Sequence, residues 1–282
     1  MNQDKKIYNV INIVVILISF VILFTYTMLN IDAIDIRLIA LFLTIFVLIN
    51  IIKFIRLYLI FLEEKIPITR FTKLYIKTTF VNILLPFKLG EIFRMYCFGR
   101  EIHNYYKGIL GIILDRFVDS IILLIIIIPM EIMYLHSISF VSILIIAYVL
   151  VILLFLVFTP STYKYLNKYI ITNKSKKSSI KALEILEKIK MVHKNGMELL
   201  RGRIPLLLIM SSLAWILEYS LINLISKIEI GQFEFTVFSE YLNSAFLTNT
   251  NVVLINYFCM SSIVLGAVML LVYLYNRCYK KA

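Results

Sequence analysis

Six continuous apolar runs dominate the chain, and each is long enough to cross a membrane as a helix. A spanning helix needs about 20 apolar residues, and continuous runs differ from the alternating pattern of a membrane β-barrel. Hydrophobic residues make up 61% of the chain, against about 45–50% in soluble domains. We therefore predict an all-α polytopic bundle in a single membrane domain (1–282), with about six spanning helices at 10–29, 37–61, 105–129, 139–158, 204–228 and 253–276.

Basic residues are concentrated in the connections on one side of the predicted bundle. Residues 159–203 hold eleven lysines and arginines, whereas the opposite connections carry mainly acidic residues. Basic connections stay in the cytoplasm, so both termini and 159–203 are expected there, with the protein in the plasma membrane. Within this segment, 178–200 has the spacing of a surface helix. It is either an orientation-setting connection or a basic helix lying on anionic lipid.

Several function classes lack their sequence signatures. The net charge of +12 indicates orientation and lipid contact, and no nucleic-acid partner is expected because no soluble basic module is present. The three cysteines, Cys97, Cys259 and Cys278, have no metal-ligand or redox spacing. Nucleotide-binding glycine patterns and zinc-protease motifs are missing. We expect no cofactor and no metal, and whether the chain is an enzyme stays open, with the balance against it.

Polar residues interrupt the apolar pattern within 72–102. The interruption contains Asn82, Pro86, Lys88, Gly90, Glu91 and Arg94. The proline and glycine predict a helix that stops, turns and restarts, and Glu91 and Arg94 share one helix face. A charge at membrane depth costs about 2.5–3.5 kcal/mol and is a functional candidate. The pair either binds a charged headgroup in a re-entrant segment or braces the broken helix as a structural ion pair.

A second charged group lies in the predicted span 105–129. Asp115 and Asp119 share one helix face, and Arg116 lies between them in sequence. This group either forms a salt-bridge cluster against Arg94 or Arg100, or it lines the same polar cavity as the interruption.

Three more ionisable residues lie within predicted spans. Glu218 is near the middle of a span and has either a pathway or proton-linked role or a buried structural one. The presence of Lys53 and Arg56 near the end of a span is explained if their long side chains extend to the membrane surface. A further polar segment, 238–252, is a second re-entrant candidate.

The spaced pattern from residue 82 to residue 119 resembles a known membrane family. It reads Asn82-x-x-x-Pro86-x-Lys88-x-Gly90-Glu91-x-x-Arg94, followed by Gly108 and Asp115-Arg116-x-x-Asp119. This is similar to the transmembrane region of lysylphosphatidylglycerol synthases and flippase-like proteins, with Lys88 in place of the usual arginine. The good match covers about 50–130. The chain departs from the family at 238–260, where the second proline- and glycine-rich motif is missing.

The resemblance implies an all-helical domain with re-entrant helices that moves lipids or lipid-linked groups between leaflets. Lysyl transfer is not implied, because this chain shows no soluble aminoacyl-transferase segment. In this hypothesis Lys88, Arg94 and Arg116 attract phosphate, and Glu91, Asp115 and Asp119 position them. The partners are then a membrane phospholipid or lipid-linked substrate, with a homo-oligomer also expected as a candidate assembly.

Two alternatives remain from the same residues. The chain is instead a non-transporting partner or regulator of a glycosyltransferase in envelope polysaccharide assembly, with 159–203 as the docking surface. The third reading is an intramembrane enzyme that uses the carboxylates of Asp115 and Asp119.

Overall fold

The computed structural model describes residues 2–30, 39–85, 89–134, 136–173, 177–229, 235–243 and 251–279. Within these ranges the regular structure is helical, which confirms the predicted all-α class. The helices are α1 Asn2–Leu29, α2 Ile39–Ile60, α3 Ile68–Leu84, α4 Leu89–Glu101, α5 Tyr105–Tyr134, α6 Phe140–Asn173, α7 Lys177–Leu200, α8 Ile204–Glu229, α9 Phe235–Asn243 and α10 Val252–Tyr279. A single 3-10 turn, Leu62–Glu64, follows α2.

Among the described helices, five are long and apolar enough to cross a membrane. They are Ile7–Leu29, Ile39–Ile60, Phe140–Thr172, Ile204–Glu229 and Val252–Val272, and they correspond to five of the six predicted spans. The sixth prediction, 105–129, falls on α5, a 30-residue helix that buries Asp115, Asp119 and Glu131. The protein is therefore a polytopic helical membrane protein, and α5 carries three of the four acidic residues that are buried in the described part of the chain.

The helix α6 is longer than the sequence pattern indicates. It contains 34 residues and measures about 51 Å at 1.5 Å per residue, whereas the hydrocarbon layer is about 30 Å thick. Pro160 lies inside the helix without ending it. The basic segment 159–203 is consequently helical over most of its length, as the end of α6 followed by α7.

The chain divides into two compact units. The first contains residues 1–54, 66–98 and 213–282, and the second contains 55–65 and 99–212. In the first unit α1, α3 and α10 pack against one another. A Cβ atom placed on Gly266 of α10 would lie 3.1 Å from Leu23 and 3.5 Å from Phe80. The absence of a side chain at this glycine therefore lets three helices approach closely.

In the second unit α5, α6 and α7 each pack against the other two. Leu199 and Leu200 of α7 are buried, whereas Ile180 and Ile189 are exposed. The apolar face of α7 is thus used only partly within this unit. Large apolar side chains on α6, such as Val151 and Val157, point outward, as expected for a helix surrounded by lipid.

Candidate functional site

The predicted helix break is present between α3 and α4. Leu85, the residue after α3, has extended backbone angles (φ −80°, ψ 126°). The residue before a proline is disfavoured in the helical conformation, so Pro86 in the sequence accounts for this end. The helix restarts at Leu89. Two predicted site residues, Pro86 and Lys88, lie outside the described residues.

The two helices run antiparallel as a hairpin, which we call the α3–α4 hairpin (68–84 and 89–101). Gly90 approaches Asn82 so closely that a Cβ atom on the glycine would lie 2.2 Å from the Asn82 Cα. Farther from the break, Arg94 contacts Thr79, and Phe98 packs on Phe71. The residue numbers on α3 thus decrease as those of their partners on α4 increase, which is the pattern of an antiparallel pair.

The hairpin geometry bears on how this segment enters the membrane. The helices have 17 and 13 residues, or about 25 Å and 20 Å in length, and each is shorter than a hydrocarbon layer of about 30 Å. An antiparallel pair of helices that are too short to span the membrane enters and leaves it on the same side. The geometry favours re-entry, which stays a prediction.

Arg94 lies inside the hairpin and is only 3% exposed. Its Nη2 donates to Thr79 Oγ1 at 2.8 Å, and its guanidinium lies over the Tyr75 ring at 5.8 Å. Glu91 Oε1 is 3.9 Å from Nη1 and accepts a hydrogen bond from Asn82 Nδ2 at 3.0 Å. The buried Nε of Arg94 has no acceptor among the described residues. Arg94 is therefore held in place with one loosely placed carboxylate and one unused donor.

Arg56 of α2 has the opposite environment. It is 0% exposed, and it grips Asp115 through two bonds, Nε to Oδ1 at 2.7 Å and Nη2 to Oδ2 at 3.1 Å. Its Nη1 also donates to Asp119 and to Ser211 Oγ at 2.5 Å. The expectation that Arg56 extends to the membrane surface is wrong, because two carboxylates draw this guanidinium into the protein interior.

The predicted cluster at Asp115, Arg116 and Asp119 is thus formed around Arg56. Arg116 Nη2 lies 3.0 Å from Asp115 Oδ2, and Nη1 lies 3.6 Å from Asp119 Oδ2. Two guanidinium groups balance two carboxylates, so the cluster is close to neutral. It belongs to the second unit, whereas the α3–α4 hairpin up to Phe98 belongs to the first. These contacts favour a structural role, and the headgroup role of the three residues stays a prediction.

Glu218 of α8 lies in a third polar group. It is 2% exposed and pairs with Lys53 Nζ at 2.5 Å. Tyr257 donates to its Oε1 at 3.2 Å, and Tyr241 of α9 donates to the same oxygen. Burial, together with the Glu218 carboxylate, raises the pKa of Tyr241 well above its usual value, which keeps this hydroxyl a hydrogen-bond donor. Lys53 thus has a buried partner and is not explained by surface contact alone.

The second re-entrant candidate, 238–252, is only partly described. Its first part lies in α9, a nine-residue helix, and residues 244–250 lie outside the described residues. Tyr241 connects this helix to α8 through Glu218. Whether the segment is re-entrant stays a prediction.

A comparison with known protein families assigns the chain to one of them. The model of the lysylphosphatidylglycerol synthase transmembrane region matches residues 9–228. The chain belongs to this family. The match to the lysylphosphatidylglycerol synthase family is wider than the stretch 50–130 that carries the sequence motif, and it includes the α3–α4 hairpin, the Arg56 cluster and Glu218. It ends at residue 228, before the segment 238–260, which contains no proline and no glycine. Neither the curated proteins nor the solved structures give a significant match.

Sequence reasoning missed several partners of the predicted residues in this family member. Thr79, Tyr241 and Tyr257 carry no charge, so nothing in a spaced-charge pattern indicates them. Arg56 was detectable in principle, because two buried carboxylates four residues apart require at least one cation nearby. The sequence could not show which of several arginines supplies it.

Proposed function

We propose that this chain translocates or scrambles a phospholipid or lipid-linked molecule by binding its phosphate at Arg94 in the α3–α4 hairpin. The observation that carries the proposal is the contrast between two buried arginines. Arg56 has its donors engaged by two carboxylates and a serine, whereas Arg94 keeps a buried Nε without an acceptor in the described part of the chain. A planar guanidinium with a donor to spare suits a phosphate oxygen.

Glu91 gives this site a means of release. Its carboxylate lies 3.9 Å from Arg94, too far for a strong hydrogen bond but close enough to compete electrostatically for the same cation. Asn82 holds the carboxylate at this distance. A phosphate that binds Arg94 must therefore compete with the Glu91 carboxylate for this cation. When the headgroup leaves, Arg94 interacts with Glu91 again.

The experiment is lipid movement in vesicles that contain the purified full chain. Labelled anionic and zwitterionic phospholipids are compared for the wild type, Arg94→Met and Glu91→Gln. Lys73→Gln serves as the matched control, because Lys73 is an exposed cation on the same hairpin. We expect the wild type and Lys73→Gln to accelerate movement of the anionic lipid and Arg94→Met to abolish it. Wild-type rates in both Arg94→Met and Glu91→Gln would refute a site in the hairpin.

We also propose that the protein lies in the plasma membrane with both termini in the cytoplasm. The lysines and arginines of 159–203 support a plasma-membrane protein with both termini in the cytoplasm. Protease cleavage of a terminal tag only in inside-out vesicles is the expected result. Cross-linking of two differently tagged copies tests the proposed homo-oligomer.

The α7 helix favours a second candidate, a non-transporting partner of an envelope glycosyltransferase. Its buried Leu199 and Leu200 belong to the face that packs within its unit, whereas four lysines of α7 are exposed: Lys181, Lys188, Lys190 and Lys194. Such a surface suits an acidic partner. A complex that is lost when these lysines become glutamines, together with lipid movement unaffected by Arg94→Met, would favour this candidate over translocation.

A further inference from the structure

Lys77, near the middle of α3, has an unusual environment for a lysine. Its Nζ donates to Asn12 Oδ1 at 3.1 Å and to the Tyr8 hydroxyl at 3.3 Å. The same ammonium group lies over two aromatic rings, 5.4 Å from the centre of Tyr8 and 5.5 Å from that of Phe93. Two neutral oxygens and the Phe93 ring therefore hold the cation in place.

The other half-buried lysines of the described structure have carboxylate partners. Lys53 is 2.5 Å from Glu218, and Lys107 is 2.8 Å from Glu64. Lys77 is the third half-buried lysine among the described side chains, and its contacts are to neutral groups. An ammonium group has three N–H donors, and a partly desolvated cation without a counter-ion is costly. An external anion would supply both the third acceptor and the missing charge.

Lys77 and Arg94 belong to the same hairpin, but Lys77 lies on a different face of α3 from the residues that hold Arg94. Tyr75 and Thr79 are each two positions from Lys77, which is about 200° around a helix. The ring beneath Lys77 is Phe93, which directly precedes Arg94, and Thr79 on the Lys77 helix holds Arg94. Between residues 75 and 97, with 86–88 set aside, the charged side chains are these two cations and Glu91. This part of the hairpin therefore carries a net charge of about +1 at neutral pH.

We propose that Lys77 is a second phosphate-binding residue and that it restricts the substrate to headgroups with a net negative charge. This inference rests on the proposed function and names its substrate class. A phosphodiester with an uncharged alcohol neutralises this excess charge, and a phosphomonoester, with a charge of about −1.5 to −2, more than offsets it. A headgroup that carries an ammonium group places a further cation beside Lys77 and is disfavoured by like-charge repulsion.

The test measures binding rather than movement. Fluorescent short-chain phosphatidic acid and phosphatidylcholine are titrated into the purified full chain in nanodiscs of zwitterionic lipid. Lys77→Gln is compared with Lys73→Gln, which removes the same charge from an exposed position four residues away. We expect Lys77→Gln to weaken phosphatidic acid binding about tenfold, as for loss of a charge-assisted hydrogen bond. We expect Lys73→Gln to change it less than twofold.

A folding control accompanies these variants. Lys77→Arg keeps the charge and should retain most of the phosphatidic acid affinity. Its thermal unfolding and that of Lys77→Gln are followed in the same nanodiscs.

A competition experiment with inorganic phosphate identifies the source of the anion. Competition supports a site for free phosphate, and lack of competition supports a site for the acyl-bearing headgroup; both keep Lys77 as the anion ligand.

Two results would overturn the inference. One is equal phosphatidic acid binding by Lys77→Gln and Lys73→Gln. The other is a loss of phosphatidylcholine binding in Lys77→Gln that is as large as the loss of phosphatidic acid binding. That result would indicate a distorted hairpin and no charge selection. The proposed function can fail separately: a chain that moves no lipid can still show charge-selective binding at Lys77, and translocation can depend on Arg94 while Lys77→Gln binds normally.

Discussion

Gly90 is the position at which a single methyl group should perturb the candidate site most. A Cβ atom there would lie 2.2 Å from the Asn82 Cα and 2.9 Å from its backbone nitrogen. Ordinary contact begins near 3.4 Å, and backbone atoms cannot move aside as a flexible side chain does. Gly90→Ala therefore has to separate α3 from α4 by about 1.2 Å, the shortfall in that contact.

The separation has both an energetic and a functional consequence. Overpacking a close contact lowers the free energy of unfolding by about 1–3 kcal/mol, while replacing a helical glycine by alanine raises it by about 0.5–1 kcal/mol. We expect a net loss of stability of roughly 0–2.5 kcal/mol. The Arg94–Thr79 bond, 2.8 Å long, would stretch to about 4 Å, beyond hydrogen-bond length. Anionic lipid movement should fall together with stability.

Gly196→Ala is the matched control. A Cβ atom at Gly196 of α7 would lie 3.4 Å from Leu110 Cδ2, which is an acceptable contact. The same chemical change should therefore raise stability by about 0.5–1 kcal/mol and leave lipid movement intact. The assay is detergent-induced unfolding of both variants, with vesicle lipid movement measured in parallel. The close packing of the hairpin would be refuted if Gly90→Ala were as stable and as active as Gly196→Ala.

Two further predictions concern the other polar groups. Arg56→Met should destabilise the protein by about 3–5 kcal/mol, because Arg116 alone then faces Asp115 and Asp119 and one buried carboxylate charge is left uncompensated. Adding Asp115→Asn should recover part of this loss in unfolding measurements, and purely additive effects would contradict the described pairing. Tyr241→Phe should lower the free energy of unfolding by about 1.5–3 kcal/mol, because its hydroxyl donates to the Glu218 carboxylate. An unchanged unfolding midpoint would show that this hydrogen bond contributes nothing.

The sequence alone predicted the features that depend on neighbouring residues. The apolar runs identified the spanning helices, since the need to satisfy the backbone in lipid leaves a helix as the available form for such a run. The break before α4 was also predictable, because a proline acts directly on the residue that precedes it. Glu91 and Arg94, three residues apart, were expected on one face of a helix and are found as a loose pair.

Only the tertiary structure decided which charges neutralise one another. Arg56 and Asp115 are separated by 59 positions along the chain, and Lys53 and Glu218 by 165. Hydropathy and spacing carry no information about such partners. The two buried arginines look alike in sequence, yet one is saturated by carboxylates and the other keeps an unused donor. The difference arises from helix packing, because electrostatic interaction in a poorly polarisable interior depends on distances of a few ångströms that only the folded chain establishes.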